Sequence, residues 1–249
     1  MTDKELRFKL KDYPNVTNYM LKHSAFNIFL AKASEEQLAF CEDYFDNNIE
    51  IIWNESSAGT GKTFCSVACA YADFLNNGTK LRFIIAPVSE DLGSRPGSQT
   101  EKEAAYFMGL HDAIIELGML PEQVVFELAL LDDNQNKDCI SDCWVHQESH
   151  LFLRGGNIRD NVIINEAQNF THKELKKVLT RLHTKGNTCV VEGNYKQIDL
   201  RNTSKSGFEG YLNYFKELYP SEASKYHHFT KNYRSRLANF ADSYNWKDK

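Results

Sequence analysis

Apolar positions along the chain follow two rhythms. Short continuous runs occur at "IEIIW" (49–53), "LRFIIAPV" (81–88), "NVII" (161–164) and "TCVVEG" (188–193). Their length and β-branched content predict buried strands. Between them lie stretches of helical spacing. "SEEQLAFCEDYFDN" (34–47) has Ser34 as its N-cap, and "FCSVACAYADFLNNG" (64–78) stops at Gly78. "TEKEAAYFMGLHDAIIELG" (100–118) stops at Gly118, and "THKELKKVLTRLH" (171–183) follows the third run. A late strand is expected near "YHHFTK" (226–231), whereas residues 1–30 are polar, mixed and without a clear element. Alternation of strands and helices predicts an α/β fold, a mostly parallel sheet with helices on both faces. There is no internal repeat and no convincing linker. Residues 1–33 are therefore read as an N-terminal extension and 34–249 as one domain.

The first strand runs into "SSAGTGKT" (56–63), and a helix follows at once. Strand, glycine-rich turn and helix is the context a phosphate-binding P-loop requires. Gly59 and Gly61 allow a backbone nest, in which the N–H groups of Ser57, Ala58, Gly59, Thr60, Gly61, Lys62 and Thr63 face phosphate oxygens. The helix N-terminus adds its positive end. Lys62 is placed to reach the β- and γ-phosphates, and the Thr63 hydroxyl to ligate Mg²⁺. The plain alternative is a glycine-rich turn before a helix, which leaves Lys62 and Thr63 unexplained.

Three more residues fit the same site. The run "NVII" stops at Asn165-Glu166, where a carboxylate at a sheet edge can polarise water. "EGNYKQIDL" (192–200) ends another strand and places Gln197 to sense the γ-phosphate. Gln37, on the helix before the P-loop, can pair its amide with the N6 and N7 edge of adenine. Each alone has an ordinary structural reading: a surface Gln, or a Glu capping a helix.

"SSAGTGKT", "LGSRPGS" (92–98), "FLRGGNIRDNVIINEAQNFTHKELKKVLTRL" (152–182) and "GNYKQIDL…SGF" (193–208) resemble, in order, the motifs of PhoH-like proteins. The resemblance covers roughly residues 34–210 and is most specific from Leu151 to Leu182. It implies a RecA-like P-loop domain related to the first half of superfamily 1 helicases. It implies ATP and Mg²⁺ as ligands, ATP hydrolysis, single-stranded RNA or DNA as partner, and ring-like homo-oligomers such as a hexamer. It also implies the cytoplasm of a bacterium or of a phage-infected host. Thr63, Asn165 and Glu166 fall on the metal positions, with Glu166 the residue that orients water. Arg181 in "LTRL" and Arg154 in "LRG" match family arginines, and Arg234 and Arg236 lie in "NYRSR", which resembles the segment after the first helicase domain. No second such domain follows, so an arginine supplied in trans is expected, from Arg181 or Arg234.

The departures bear on chemistry. Asn165 stands where the family has Asp, Asn194 where Asp would precede the Gln, Ala86 replaces an Arg and Ser56 the first P-loop Gly. Asn offers the ion's shell a neutral carbonyl where Asp offers charge. A slow ATPase is expected, or a switch that binds ATP and scarcely hydrolyses it. On this reading Asn165→Asp tightens Mg²⁺, and Glu166→Gln is the more damaging change. A small-molecule kinase is disfavoured, since there is no Arg-rich lid segment.

Cys139, Cys143, His146 and His150 would spread over about 16 Å on a helix, too far for one tetrahedral ion. A loop would let them converge, but the resemblance makes part of this stretch a strand. Lys173 and Lys177 read as a solvated helix face. Among 249 residues, 29 basic and 34 acidic side chains leave a net charge of −5, so a nucleic acid would have to meet a local basic patch. The 42% hydrophobic content argues against disorder. The N-terminus has no apolar signal region, and no apolar run approaches a membrane span of roughly 18–20 residues. The six cysteines show no scaffold spacing and are expected as reduced thiols.

Overall fold

A computed structural model describes residues 2–87, 103–131, 140, 142–153, 156–183 and 186–242. Its centre is one parallel sheet of six strands: β1 Ile51–Glu55, β2 Leu81–Ile85, β3 Val145–Ser149, β4 Asn161–Ile164, β5 Cys189–Gly193 and β6 Ser224–His227, in the order β3-β2-β4-β5-β1-β6. The helices are α1 Asp3–Lys9, α2 Pro14–Tyr19, α3 Asn27–Lys32, α4 Glu35–Tyr44, α5 Lys62–Asn77, α6 Met108–Glu116, α7 Pro121–Val124, α8 Phe126–Ala129, α9 His172–Leu179, α10 Phe208–Leu218 and α11 Arg236–Asp242.

Side-chain alternation sends each strand's residues to opposite faces. Ile52, Phe83, Ile163 and Val190 pack against α1 to α6. Ile51, Trp53, Ile84, Val162, Ile164 and Val191 pack against α9 and α10. The fold is the RecA-like α/β layer structure that the apolar rhythm and the resemblance predict. β4 matches its expected span, β1 is shifted by two residues, and β6 starts two residues before and ends four residues before its expected span. Edge strand β3 came only from the resemblance, because its burial alternates. Val88, the motif 92–98, Cys139 and Arg154 lie outside the described residues.

Residues 2–33 carry α1 to α3, with Leu6, Leu10, Val16, Met20 and Phe26 buried in the same cluster as α4 and α5. A Thr2–Glu5 capping box starts α1. Lys9 Nζ donates to the carbonyls of Leu30, Ala31 and Ala33 at 2.8, 3.1 and 2.8 Å, which satisfies the end of α3. Ser34 and Gln37 form a second capping box at α4.

Candidate nucleotide site

Parallel strands all deliver their C-terminal ends to one edge, and the site is built there. β1 leads through Ser56–Gly61 into α5. Gly59 and Gly61 have φ of +80° and +81°, a region that costs an L-residue roughly 1–2 kcal/mol. α5 begins with no side-chain cap, so its first N–H groups are open to a ligand. Lys62 is buried, and its Nζ folds back to donate to the carbonyls of Ser56 at 3.0 Å and Ser57 at 3.3 Å. The Thr60 hydroxyl donates to Ser57 O at 2.9 Å. The hydroxyl of Ser56, in place of the first P-loop Gly, donates to Asn54 Oδ1 and accepts from Phe229 N at 2.7 Å, tying β1 to the chain that leaves β6.

Beside Thr63 the strands present a row of polar side chains. Asn54, Glu192 and Asn165 each stand two residues beyond Ile52, Val190 and Ile163, so alternation turns all three toward α5. The Thr63 hydroxyl donates to Glu192 Oε2 at 2.9 Å. Asn165 Nδ2 donates to Thr63 Oγ1 at 3.1 Å and to Glu192 Oε2 at 2.9 Å. The Ser66 hydroxyl completes the set on Glu192 Oε1 at 2.5 Å. Glu192 is 0% exposed, and burial pushes its carboxyl above the usual range, against the pull of these donors and of Lys62.

Glu166 follows Asn165 with φ +49° and is the one described non-glycine residue at positive φ. Such strain is common at functional positions. Its carboxylate is exposed and accepts from Gln168 Nε2 at 2.5 Å. Gln168 also donates to Gln197 O at 3.1 Å and accepts from Asn194 N at 3.0 Å. Asn169 and Asp199 exchange hydrogen bonds of 3.0 and 2.8 Å. The loops after β4 and β5 are thus joined, and Gln197 is held half-buried beside Glu166. The Asn194 side chain accepts from Lys196 N at 3.0 Å, a turn contact that Asn makes as well as Asp.

Gln37 is buried against the P-loop. Its Nε2 donates to Thr60 O at 3.1 Å, and its Oε1 accepts from Ser34 N at 3.1 Å and Tyr233 OH at 2.9 Å. Both oxygen lone pairs are filled, so one amide proton remains and bidentate pairing with adenine would displace Tyr233 or Ser34. A cavity of about 620 Å³ opens here, lined by Phe29, Gln37, Gly59, Gly61, Phe64 and Tyr233. That volume is in the range of small-molecule sites. A comparable groove of about 580 Å³ between α9 and α10 has no phosphate loop.

The chain after β6 covers the P-loop from outside. Asn232 Nδ2 donates to Ala58 O at 3.1 Å and Tyr233 N to Gly59 O at 2.8 Å. The Arg234 side chain lies over Gly59, where an added Cβ would sit 2.4 Å from its Cγ. Arg234 therefore lies on the P-loop of its own chain. Arg181 is not brought to the site: its carbonyl accepts from Ile158 N at 2.8 Å, three residues before β4 begins and so toward the opposite edge of the sheet from Asn165. Lys177 is no plain solvated residue, since its Nζ donates to His150 O at 2.8 Å. His146 and His150 are occupied by Glu127 at 3.1 Å and Glu174 at 3.2 Å. Their spacing serves contacts with these carboxylates in this fold.

Sequence reading missed Glu192, Gln168 and Tyr233 as members of the site. Glu192 had a signal: a charge inside a buried run, on the same face as Asn165. Tyr233 had none, because its place depends on how the distant C-terminal segment folds back.

A parallel sheet whose first strand feeds a Gly-Lys-Thr loop into a helix defines a P-loop NTPase fold for nucleotide binding. The model of the PhoH-like protein family matches residues 30–240, and the chain belongs to that family. A PhoH-like protein of Synechocystis sp. is 33% identical over 156 residues, 61% of this chain and 43% of that protein. Protein PhoH of Escherichia coli K12 is 30% identical over 180 residues, 68% of this chain and 45% of that protein. The chain spans less than half the length of these relatives. The UvsW helicase from Bacteriophage T4 aligns with a TM-score of 0.44 at 12% identity, over 82% of this chain and 66% of that one. Among the described residues no helix is long and apolar enough to cross a membrane.

Proposed function

We propose that the protein binds and hydrolyses ATP with Mg²⁺, and that it works on or with single-stranded RNA or DNA. The observation that carries the ATP reading is the convergence of Lys62, Thr63, Asn165, Glu166 and Glu192 at one sheet edge beside an uncapped helix N-terminus. Lys62 leaves the carbonyls of Ser56 and Ser57 for the β- and γ-phosphates. The base enters the cavity beside Gln37, which has one amide proton to give. Glu166 orients the attacking water, and Gln197, joined to it through Gln168, reads the γ-phosphate. Hydroxyl, carboxylate and amide oxygens form a hard-donor set that fits Mg²⁺. The ion would be held by Thr63 with Asn165 and the nearby carboxylates, and it supplies neutralisation of charge on the phosphates.

The nucleic-acid partner and the ring assembly rest on the family resemblance. In a ring, Arg181, remote from its own P-loop, would serve a neighbour's phosphates, and Arg234 those of its own subunit. The cytoplasm of a bacterium or of an infected cell suits such a role. A second reading, an ATP-dependent switch with little turnover, draws on the neutral Asn165 beside Thr63. Phosphate release measured with and without single-stranded RNA and DNA separates the two. Stimulated turnover is the expected result. Tight ATP binding without release would establish the switch, and sedimentation as a monomer at full activity would remove the ring.

A further inference from the structure

The family position for a metal-site aspartate holds Asn165, which looks like a loss of charge. The contacts around it point elsewhere. We propose that Glu192 supplies the anionic carboxylate of the metal site, so that the charge has moved one strand over, from β4 to β5. The inference rests on the nucleotide-site reading above.

Three observations carry it. Among the described residues, Glu192 is the carboxylate that touches the Thr63 hydroxyl, at 2.9 Å. That hydroxyl gives its single proton to Glu192, accepts from Asn165, and keeps a second lone pair. Second, Glu192 is fully buried with three neutral hydrogen-bond donors, Ser66, Thr63 and Asn165. A buried carboxylate is costly unless a cation answers it, and a glutamine could meet the same three groups without charge, its oxygen accepting from Thr63 and Asn165 and its amide donating to a rotated Ser66 hydroxyl. Lys62, its cationic neighbour, is the residue expected to turn toward phosphate. Third, residues 165 and 192 depend on each other. Asn165 Nδ2 donates to Glu192 Oε2 at 2.9 Å, a bond an ionised Asp could not make. With Asp at 165, two carboxylates would face each other at that distance and one would be driven to hold a proton. Asn165 is thus the complement of Glu192, and the pair carries one negative charge. This revises the expectation that Asn165→Asp alone improves the site.

The placement of β5 makes the exchange possible. It lies between β1, which carries the P-loop, and β4, which carries Asn165. A glutamate there is long enough to reach the position beside Thr63.

The test measures binding of a non-hydrolysable ATP analogue, the β,γ-imido triphosphate, in MgCl₂ and in EDTA. Four proteins are compared: wild type, Glu192→Gln, Asn165→Asp and the double variant. The readout is the ratio of the two affinities, so turnover does not enter. Glu192→Gln should lower the Mg²⁺-dependent gain about ten-fold, the range for groups that tune a metal site, and leave affinity in EDTA unchanged or better. The double variant should restore the gain to within about three-fold, well below the effect of the single change. In EDTA, Asn165→Asp should melt below wild type and the double variant should not. An unchanged ratio in Glu192→Gln overturns the proposal. So does a double variant that fails to restore it, which would make Glu192 a hydrogen-bond acceptor for structure alone. If Glu192→Gln does not melt cooperatively, the double variant against wild type decides by the same ratio. Failure of the underlying reading looks different: wild type would bind no analogue even in MgCl₂, or Lys62→Ala would not weaken binding there.

Discussion

Gly193 closes β5 between Glu192 and Asn194, and a methyl group there has nowhere to go. A Cβ at this position would lie 2.8 Å from Cζ of Phe208 and 2.9 Å from Cε1 and Cε2. Ordinary carbon contacts are about 3.5–4.0 Å, so the ring or the strand must shift by close to an ångström. The ring is poorly placed to do so: Phe208 is fully buried, and its centroid lies 6.0 Å from that of Trp53. Overpacking of this kind costs about 1–3 kcal/mol. In a domain of this size each kcal/mol lowers Tm by roughly 2–4 °C, so Gly193→Ala should melt roughly 2–12 °C below wild type. Phe208→Leu removes the three crowding atoms and, alone, should destabilise by leaving a void. Combined, the methyl occupies part of that void, and the two costs should fall short of their sum by about 0.5–3 kcal/mol. Urea and thermal unfolding of the four proteins, followed by circular dichroism, measures the coupling. Additivity within about 0.5 kcal/mol would show that the ring does not abut Gly193 and refute the packing described here.

Lys62→Ala should leave the fold intact and weaken ATP binding by about ten-fold or more, the scale of one charge-assisted contact; equal affinity by calorimetry would contradict the site. Tyr233→Phe removes the hydroxyl bonded to Gln37 Oε1 at 2.9 Å and should cost about 1 kcal/mol in urea unfolding. No change would mean that the segment after β6 does not brace the P-loop through this contact. Glu174 is held at about 2, below its usual 4.5, first by the His150 hydrogen bond and then by the backbone and hydroxyl of Thr171. A depressed carboxyl stabilises above its unfolded pKa, and that contribution is lost as pH falls from about 4.5 toward 2. Its side chain is 34% exposed, so solvent screening reduces the effect to about 1–2 kcal/mol. Glu174→Gln should therefore be less stable than wild type at pH 7, with the gap closing below pH about 4; a gap independent of pH would rule the linkage out.

The strands were legible because four of them are buried at nearly every position and read as short, mostly apolar runs. β3 lies at the edge and shows alternating burial in "VHQES", which looks like a loop without its neighbour. α10 carries Phe208, Leu212 and Phe215 at helical spacing, but Gly207 stands at its start without a side chain to cap it, so no start signal marks the helix. Of the site, Lys62 and Thr63 follow from local spacing alone. The roles of Gln37 and Asn165 do not, because each is set by a partner far along the chain, Tyr233 in one case and Glu192 in the other. Periodicity gives the face a residue occupies. It does not give the hydrogen bonds already made there.

The strand that carries the P-loop has for neighbours β5 and β6, the last two of the described strands. Synthesis proceeds from the N-terminus, so β1 leaves the ribosome long before either exists. β2, β3 and β4 can pair among themselves while β1 waits without a hydrogen-bonded partner. Closing so long a loop is entropically unfavourable until the later strands arrive, and it places the nucleotide site among the last parts to form. During that interval the exposed edge and apolar face of β1 are what a chaperone would have to shield.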